Sequence, residues 1–546
     1  MTGKLIERTP GAYGNPLLIK SLLEFGVTQA PEQQIVYADK RRLTYRELDE
    51  RVCRLASALG NLGVKPGDTV GVMDWDTNRY LECYFAVPMM GAVLLTINIR
   101  LSPEQILYTI NHAEAAVILV NAEFLTILQQ EWDRVEPGKK LVLLDDLGEA
   151  PDTSLPLDAE YEALLAESDP RYSFPELDEN TQATVFYTTG TTGLPKGVCF
   201  SHRQLVLHTL AVRTALTGLG HGRFNEGAVY MPVTPMFHVH AWGFPYVATT
   251  LGVKQVYPGR YVPDALVELI DHEKVTFSHC VPTILQMMLV SARNKGVALS
   301  GWTVLIGGSA LPQALARQAM ELGIDVLGGY GMSETCPILT IARLKPHAEA
   351  WDIDRQLEVR CKAGRPIPMV QIRIVDEAMN DVPHDNLSQG EVVVRAPWLT
   401  QGYLKDTHNS EKLWAGGWLH TGDIGVIDGE GYLRITDRLK DVIKTGGEWV
   451  SSLDLEDLIL KHPGVAEAAV IGVPDAKWTE RPLAVLVAKP GQEVNEADIK
   501  GLLHDFAARG VIPTYWGPER VVFVDELPKT SVGKLDKKAL RHKYIK

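Results

Sequence analysis

The sequence predicts an α/β protein that has a large N-terminal domain and a small α+β C-terminal domain. Its 546 residues far exceed one hydrophobic core, so we expect several subdomains. Through the first two thirds, short apolar strands alternate with amphipathic helices, a pattern typical of parallel sheets covered by helices. From about residue 371 the strands become short and alternating, with polar turns between them, which favours an antiparallel, β-barrel-like subdomain.

The first two subdomains follow from helix signals and apolar runs in chain order. Thr44 and Glu47 form a capping box before apolar residues at helical spacing, which predicts a helix there. The next predicted elements are a strand at 70–73, a helix at 80–90, a strand at 92–96, a helix at 103–113 and a strand at 116–120. Further strands are predicted at 185–187, 255–257, 277–279, 303–306 and 325–327. Together these elements indicate two parallel α/β subdomains.

The C-terminal part has a pattern of its own. Alternating strands at 372–375 and 391–394 belong to the barrel-like subdomain, and the charged segment 437–441 marks a domain boundary. Beyond it the sequence predicts a helix at 453–461, strands at 465–473 and 483–488, a helix at 495–509 and a strand at 520–524. We therefore expect domains at 1–437 and 443–546, joined by a linker at 438–442. Most basic residues of the tail are expected on a solvated face.

Composition and charge limit the class of protein. A net charge of −14 argues against a nucleic-acid partner, and it requires local lysines and amides to hold any anionic substrate. The six cysteines are scattered without zinc or disulfide spacing, which fits a reduced, cytoplasmic compartment. The sequence shows neither a signal-peptide core nor an apolar run of transmembrane length, so a soluble protein is expected. Weak peripheral association with a membrane stays open.

The segment 187–197 carries the strongest chemical signal in the chain. It combines four threonines, three glycines and one lysine directly after a strand-like run. Glycines let a backbone approach an anion closely, and hydroxyls donate to phosphate oxygens. We therefore interpret the segment as a loop that holds a nucleotide triphosphate. The residues expected to do so are Thr188, Thr189, Gly190, Thr191, Thr192, Gly193 and Lys196.

Two other interpretations compete with a phosphate loop. A glycine- and threonine-rich surface turn has the same composition, because turns favour these residues. A Walker-type loop would need a hydroxyl directly after the lysine to hold magnesium, and Gly197 stands there instead. The Walker pattern is therefore excluded, and the surface turn is opposed by the motifs that follow.

Six later segments of the chain carry motifs that belong with this loop. They lie at 235–242, 329–334, 421–423, 437–441, 444–448 and 528–534. Together with the loop, they resemble the motifs of the adenylate-forming superfamily, which includes acyl-CoA synthetases, luciferases and the adenylation domains of peptide synthetases. The resemblance extends over nearly the whole chain. It implies that a carboxylate attacks the α-phosphate of ATP, that an acyl-adenylate forms and that pyrophosphate leaves.

The resemblance gives roles to the residues that meet the phosphates. Because two anions must meet, charge compensation is the main task of such a site. Lys534 matches the tail lysine that contacts the carboxylate and the α-phosphate. Glu334 matches the carboxylate associated with magnesium and Thr188 the hydroxyl beside it, which suits a cation that prefers oxygen ligands. A tail lysine in solvent and a buried structural glutamate are the alternatives.

Other matching positions concern the nucleoside. The resemblance implies that Tyr330 flanks adenine, that Asp423 accepts hydrogen bonds from the ribose hydroxyls and that Arg438 lies beside the nucleotide. The remaining residues expected at the nucleotide are Gly308, Ser309, Ala310, Gly328, Gly329, Gly331, Met332 and Ser333. Taken alone, the glycines would as readily be turns of the core.

Lys440 matches the hinge residue of the superfamily. Such enzymes use two orientations of a mobile small domain, one that presents the tail lysine for adenylation and one that completes a tunnel for the thiol. The resemblance places Lys444, Gly446, Gly447 and Trp449 at this tunnel, where the glycines permit close approach of pantetheine. An ordinary tight turn is the alternative for the glycine pair.

The acid is expected beside the segment 237–242. By resemblance, His238 would orient the carboxylate or move aside for the thiol, with Val239 next to it, and Trp242 matches a residue that gates the acyl tunnel of fatty acyl-CoA synthetases. The segment has no carboxylate to pair with an amino group, which favours an uncharged, apolar acyl group. A histidine and a tryptophan buried for packing alone are the alternative.

The whole set looks most like bacterial medium- and long-chain fatty acyl-CoA synthetases, with ligases of short sulfur-containing or aryl acids as the alternative. We therefore expect a homodimeric, AMP-forming acid:CoA ligase that uses ATP, Mg²⁺ and coenzyme A. A luciferase-like oxygenase and a non-enzymatic nucleotide-binding protein are the rivals from other classes. His240, Tyr515 and Trp516 depart from the fatty acyl-CoA pattern and leave acyl and coenzyme A selectivity open.

Overall fold

Strands and helices alternate along most of the chain. The computed structural model describes residues 3–146, 148, 152–188, 194–217, 224–445, 448–529 and 535–545, with the backbone alone at 448 and 449. Within these ranges the strands form four sheets, of seven, nine, four and five strands. The two larger sheets are mostly parallel and the two smaller ones mostly antiparallel, so the predicted change of pattern after residue 371 is confirmed.

The α-helices of the described part, in chain order, are α1 (Ile19–Gln29), α2 (Tyr45–Asn61), α3 (Asn78–Met89), α4 (Pro103–His112), α5 (Leu125–Gln129), α6 (Tyr161–Ala166), α7 (His202–Thr217), α8 (Phe244–Leu251), α9 (Pro263–Glu273), α10 (Pro282–Lys295), α11 (Gln313–Glu321), α12 (Ile353–Arg360), α13 (Thr407–Leu413), α14 (Ser452–Leu460), α15 (Glu496–Ala508) and α16 (Lys537–Tyr544).

The strands of the same residues are β1 (Gln34–Tyr37), β2 (Arg41–Thr44), β3 (Thr69–Met73), β4 (Val93–Thr96), β5 (Ala115–Asn121), β6 (Lys140–Leu144), β7 (Leu157–Glu160), β8 (Gln182–Thr188), β9 (Lys196–Ser201), β10 (Val229–Pro232), β11 (Lys254–Tyr257), β12 (Phe277–Cys280), β13 (Thr303–Ile306), β14 (Asp325–Gly331), β15 (Ile338–Ile341), β16 (Arg365–Pro366), β17 (Gln371–Val375), β18 (Gly390–Arg395), β19 (Leu419–Ile427), β20 (Leu433–Arg438), β21 (Ile443–Thr445), β22 (Glu448–Val450), β23 (Val465–Asp475), β24 (Thr479–Ala488) and β25 (Arg520–Phe523).

The two large sheets are the predicted parallel subdomains. In the seven-stranded sheet the order is β7-β6-β5-β3-β4-β8-β9, and only β9 runs antiparallel to its neighbour. In the nine-stranded sheet the order is β16-β15-β14-β13-β12-β10-β11-β1-β2, with antiparallel pairs at both edges. Parallel strands place their carboxyl ends at one edge, and ligands of α/β proteins bind there.

The two small sheets divide the C-terminal third. The predicted β-barrel-like subdomain is a four-stranded antiparallel sheet in the order β17-β18-β19-β20. The last sheet has the order β22-β21-β24-β23, and β25 lies parallel to β24. Helix α14 packs on this sheet and helix α16 contacts β23, which forms the predicted small α+β unit.

Helix α3 joins the two large sheets and is buried on every side. It contacts β1 of the nine-stranded sheet and β3, β4 and β8 of the seven-stranded sheet. Its charged residues are paired, Arg79 with Asp146 at 2.9 Å and Glu82 with Arg51 at 2.7 Å, because unpaired charges are costly in a core. The Tyr84 hydroxyl of this helix donates to the Met236 carbonyl, so the helix lies beside the segment that carries His238.

Local signals of the sequence are confirmed where they are strong. The Thr44 side chain accepts from the Glu47 amide, and the Glu47 carboxylate accepts from the Thr44 amide, which is the predicted capping box. The strand predicted at 303–306 has the same bounds in the structure. Across the described ranges, each helix is either too short or too polar to cross a membrane.

Candidate active site

The phosphate-loop residues lie at the carboxyl end of a parallel strand. Strand β8 is paired with β4 and ends at Thr188, and β9 returns beside it, so that Thr188 pairs with Lys196. The structure therefore holds both ends of the predicted loop in one antiparallel ladder. The middle of the loop, Thr189, Gly190, Thr191, Thr192 and Gly193, lies outside the described residues.

Glu334 lies next to this ladder and is held by a tyrosine. The Tyr403 hydroxyl donates to Glu334 Oε1 at 2.7 Å, and Lys196 Nζ lies 4.7 Å from the centre of the Tyr403 ring. The Leu404 amide donates to the Gly197 carbonyl at 2.8 Å, which fixes Tyr403 beside β9. The structure thus brings Thr188, Lys196 and Glu334 together through a residue that no sequence motif indicated.

Burial controls the charge of Glu334. Only 7% of the residue is exposed, and this desolvation raises the pKa of its carboxyl above the usual value. The Tyr403 hydroxyl and the Lys196 ammonium act in the opposite direction, because they stabilise the carboxylate. A cation beside this group would favour its ionised form further.

A magnesium ion would find few protein ligands here. In the ranges that the structure describes, no cluster of three or more His, Cys, Asp or Glu side chains could hold a metal ion. One carboxylate, from Glu334, and one hydroxyl, from Thr188, are oxygen donors of the kind that magnesium uses together with waters and substrate phosphates. The residues present fit an ion that arrives with ATP.

A second polar cluster lies where β14 approaches the four-stranded sheet. The Tyr330 hydroxyl donates to Asp423 Oδ2 at 2.8 Å, and Arg438 Nε lies 3.5 Å from Asp423 Oδ1. Asp423 and Arg438 are also paired across β19 and β20, and the Thr421 hydroxyl accepts from the Asp423 amide. Tyr330 and Asp423, expected at adenine and ribose, are therefore in direct contact.

The glycines of this region differ in what they permit. A Cβ at Gly328 would overlap the Lys362 carbonyl oxygen, and one at Gly331 would overlap the Pro337 carbonyl oxygen. These two glycines are required by close approach of backbones. Gly308 has a φ of 78°, and its neighbours Ser309 and Ala310 are exposed.

The rest of the 328–333 segment lies between these two clusters. A Cβ at Gly329 would lie 3.0 Å from the Leu305 side chain, so Gly329 packs closely on β13. The Met332 amide donates to the Thr335 hydroxyl at 3.0 Å. Ser333 begins the 3₁₀ turn that contains Glu334. One short segment therefore carries both Tyr330 and the buried carboxylate.

The segment after His238 has an unusual backbone. Val239, His240, Ala241 and Trp242 have φ angles of 49°, 55°, 46° and 58°, which makes a left-handed turn of four residues other than glycine. Each such residue costs about 1–2 kcal/mol relative to right-handed geometry. Strain of this kind persists only where the surrounding structure enforces it, and it is common at functional sites.

The side chains of the left-handed turn are fixed by aromatic packing. Trp242 is 5% exposed, its ring centre lies 5.1 Å from that of His279, and a Cβ at Gly307 would lie 3.1 Å from Trp242 Cη2. The His240 ring is fully buried among Tyr84, Phe186, Phe200 and Tyr246.

The imidazole of His240 has an unusual environment for a polar ring. Neither ring nitrogen has a hydrogen-bond partner among the described residues, and burial lowers the pKa of this imidazole to about 3. His240 is therefore a neutral ring in an aromatic cage. His238, which precedes the turn, is partly exposed.

The hinge and tunnel positions lie between the two small sheets. Lys440 is exposed, and the charges of Arg438, Asp441 and Arg541 act on its ammonium group. Arg541 of α16 pairs with Asp441 at 2.6 Å. Lys444 lies on β21, 3.9 Å from Glu377. Gly446, Gly447, the Trp449 side chain and Lys534 lie outside the described residues.

The structure shows the surroundings of Tyr515 and Trp516, which depart from the fatty acyl-CoA pattern, and of the tail lysine Lys537. Trp516 is buried in the core of the five-stranded sheet, whereas Tyr515 is partly exposed and its carbonyl accepts from Arg481 at 2.7 Å. Lys537 differs from the other tail lysines, because it is buried and pairs with Glu456 at 2.7 Å. The solvated face expected for most tail lysines therefore does not include Lys537.

Comparisons with known proteins agree with this geometry. The AMP-binding enzyme family matches residues 23–404, and the C-terminal domain of AMP-binding enzymes matches residues 454–534. A long-chain-fatty-acid–CoA ligase of Thermus thermophilus is 42% identical, over 92% of this chain and 90% of its own length. A 3-methylmercaptopropionyl-CoA ligase of Ruegeria lacuscaerulensis is 40% identical, over 97% of both chains.

A solved structure extends the agreement to three dimensions. The crystal structure of an anthranilate CoA ligase in complex with anthranoyl-AMP superposes with a TM-score of 0.83 at 25% identity, over 97% of this chain and 98% of the other. Family match, identity and fold therefore point the same way. This chain belongs to the AMP-binding enzyme family.

Proposed function

We propose that this acyl-CoA ligase activates an apolar carboxylic acid of medium or long chain with ATP and transfers the acyl group to coenzyme A. The AMP-forming ligase class rests on the family and on relatives that are themselves CoA ligases. The apolar acid is supported chiefly by the residues next to His238, where Trp242 and His240 pack against aromatic and imidazole rings. Surroundings of this kind favour hydrocarbon over charged groups.

A short sulfur-containing acid is the second candidate. The relative from Ruegeria lacuscaerulensis is named as a ligase of such an acid, and it covers as much of the chain as any relative reported above. A luciferase-like oxygenase and a non-enzymatic nucleotide-binding protein have no comparable support among the named relatives.

Each polar cluster has a part in the proposed reaction. A carboxylate oxygen of the acid attacks the α-phosphorus, the bond to pyrophosphate breaks, and the thiol of coenzyme A then displaces AMP from the acyl carbonyl. Asp423 would accept from the ribose hydroxyls, with Tyr330 and Arg438 holding its carboxylate. Glu334 and Thr188 would hold Mg²⁺, whose charge offsets that of the phosphates when it is bound. Lys196 and Lys534 would add positive charge around them.

We also propose the domain limits 1–437 and 443–546, with a hinge at 438–442. The support is that β20 ends at Arg438 in one sheet and β21 begins at Ile443 in another. Lys440 would absorb the rotation, and Lys444, Gly446, Gly447 and Trp449 would line the thiol tunnel. A homodimer, a cytoplasmic location and weak membrane association are proposals that rest on the sequence alone.

A panel of acids tests the function. The protein is incubated with ATP, magnesium and straight-chain acids from propanoate to octadecanoate, plus 3-methylmercaptopropionate and benzoate, with and without coenzyme A. We expect pyrophosphate with medium- or long-chain acids, and thioester and AMP once coenzyme A is added. A preference for 3-methylmercaptopropionate would select the second candidate. Absence of pyrophosphate with every acid would contradict the ligase function. Release of pyrophosphate without thioester would exclude coenzyme A as the acyl acceptor.

The tail lysine is expected to act in the first half-reaction and not in the second. Lys534→Ala should lose about a hundredfold or more in pyrophosphate release, because it removes a cation from the reacting phosphate. It should keep thioester formation from supplied acyl-adenylate, and Lys538→Ala, also in the tail, is the matched control. Loss of both half-reactions in the Lys534 variant alone would contradict the divided roles.

A further inference from the structure

Two residues before the left-handed turn, Met236 and Phe237, are held by side chains from α3, from β4 and from the loop that follows β3. The Thr96 hydroxyl, at the end of β4, donates to the Phe237 carbonyl at 3.0 Å, and the Tyr84 hydroxyl of α3 donates to the Met236 carbonyl. The Met236 amide donates to Asp76 Oδ1 at 2.8 Å. Hydroxyls therefore donate to the Met236 and Phe237 carbonyls, and the Met236 amide donates to a carboxylate.

Asp76 is itself fixed in position. It follows β3, it is 2% exposed, and its own carbonyl accepts from the Gly259 amide at 2.8 Å. Its second carboxylate oxygen, Oδ2, accepts from the Tyr261 hydroxyl at 2.6 Å. The two side-chain bonds that the structure describes for Asp76 thus join the end of β3 to residues 236 and 261. A buried carboxylate with so few donors is expensive, which points to a role beyond packing.

We propose that Asp76 is a positioning residue for the acid, holding the Met236 amide so that the following residues present His238 and Trp242. The proposal rests on the proposed function for the acid site. The left-handed turn makes such an anchor necessary, because its strain would otherwise be released by rotation of the preceding residues. The bond from Asp76 to this segment is made to the Met236 amide, so its effect is exerted through the backbone of 236–238.

The surroundings of Asp76 make this anchor sensitive to pH. Burial raises the pKa of its carboxyl to about 7, although the hydrogen bonds from Tyr261 and Met236 and the charge of Arg100 act to lower this pKa. Asp74 acts in the same direction as burial. The other titratable groups near it are Tyr80 and Tyr84 of α3, Tyr230 of β10 and Tyr257 of β11.

The sign of the pH effect follows from this arrangement. Burial keeps each of these four tyrosines neutral, because the pKa of each hydroxyl is raised well above its usual value. Asp76 itself changes charge near neutrality, because its pKa is raised to about 7. Both of its oxygens accept when it is ionised, so the anchor is complete above about pH 7 and weakens below it.

Four variants test the proposal. Asp76→Ala removes the acceptor, whereas Asp76→Asn keeps an oxygen for the Met236 amide and offers a donor to Tyr261 without a charge. Tyr261→Phe removes the bond that stabilises the carboxylate. Asp74→Asn is the matched control for burial and is compared above pH 7, because removing the Asp74 charge also lowers the pKa of Asp76. The described donors of Asp74 are Thr77, Asn121 and the Trp75 amide, away from the His238 segment.

Pyrophosphate release is measured with the best acid of the panel. Asp76→Ala should lower kcat/KM for the acid about a hundredfold and leave KM for ATP unchanged, since misplacement of about 1 Å has effects of this size. Asp76→Asn should stay within about threefold of the parent above pH 7 and lack the fall of kcat/KM that the parent shows through about pH 7. Tyr261→Phe should move that fall to higher pH.

A second measurement does not depend on the substrate. Hydrogen exchange of a peptide covering 232–242 should become faster in Asp76→Ala at unchanged exchange elsewhere, apart from the neighbourhood of Tyr261, and should stay as in the parent for Asp74→Asn. Unchanged exchange in Asp76→Ala would overturn the anchor whether or not any acid is activated. Equal losses of kcat/KM in the Asp74 and Asp76 variants, or a pH profile of Asp76→Asn identical to the parent, would also overturn it. Absence of pyrophosphate with the parent would instead contradict the proposed function.

Discussion

The nucleotide side and the acyl side of the candidate site are built in different ways. On the nucleotide side, Glu334 in a 3₁₀ turn and Asp423 on β19 each accept from a tyrosine hydroxyl, at 2.7 and 2.8 Å. On the acyl side, a left-handed turn presents Trp242, and His240 lies in an aromatic cage without a hydrogen-bond partner among the described residues.

This contrast separates two kinds of recognition. ATP is the same in every turnover, so charges and hydrogen bonds can be fixed in advance for it. We propose that the acid is recognised by the shape of the backbone and by ring packing, which contribute area and little polar chemistry. Changes on the nucleotide side should therefore act on ATP and on the chemical step, and changes on the acyl side on the choice of acid.

The largest effect is expected from Glu334→Gln. The variant keeps the shape and an oxygen for the Tyr403 hydroxyl but removes the charge that would hold Mg²⁺, so pyrophosphate release should fall by about a hundredfold or more. Magnesium titrations of the rate should show a higher half-saturating concentration. Glu358→Gln, on an exposed position of α12, is the control. A rate within a few-fold of the parent would mean that Glu334 is structural and that the contrast fails on the nucleotide side.

Tyr403→Phe should give an intermediate effect that depends on pH. The Tyr403 hydroxyl lowers the pKa of the Glu334 carboxyl, so its loss should raise that pKa further. A carboxyl that must be ionised then loses activity at a higher pH. The acid limb of kcat should therefore shift upward, as distinct from the fall of kcat/KM for the acid that is assigned to Asp76. The expected loss on that limb is about tenfold, the equivalent of about 1.4 kcal/mol for one hydrogen bond to a charged group. An unshifted acid limb would show that ionisation of Glu334 does not control this part of the pH profile.

The smallest effect is expected from Gly307→Ala. The added Cβ would lie 3.1 Å from Trp242 Cη2 and 3.2 Å from the Gly329 carbonyl oxygen, so the indole must shift by a few tenths of an ångström. We expect about a threefold rise of KM for the acid with KM for ATP unchanged. Steady-state kinetics with the best acid measures both. An equal rise of both constants would show that the two sides are not separate.

Much of the fold could be predicted, because its signals are local. The capping box at Thr44 and the apolar run at 303–306 need only neighbouring residues, and both have the predicted form. The change to antiparallel strands after residue 371 is equally local. The order of the strands in the large sheets is set by pairing between distant segments, so the sequence pattern did not contain it.

The site was less accessible to prediction from sequence. Tyr403 lies 69 positions from Glu334, and nothing in its own neighbourhood indicates that its hydroxyl meets a buried carboxylate. The segment His238 to Trp242 contains no glycine, the residue that would predict left-handed geometry. Tertiary contacts impose this geometry instead. Gly328 and Gly331 were assigned to the nucleotide by resemblance, whereas close approach of backbones explains why they are glycines.

One kinetic comparison tests the separation of the two sides most directly. KM for ATP and KM for the acid are measured in Asp423→Asn and Trp242→Ala and in the double variant. We predict that Asp423→Asn raises KM for ATP about tenfold with KM for the acid unchanged, that Trp242→Ala does the reverse, and that the double variant shows both changes without coupling. A rise of both constants in either single variant would contradict the account.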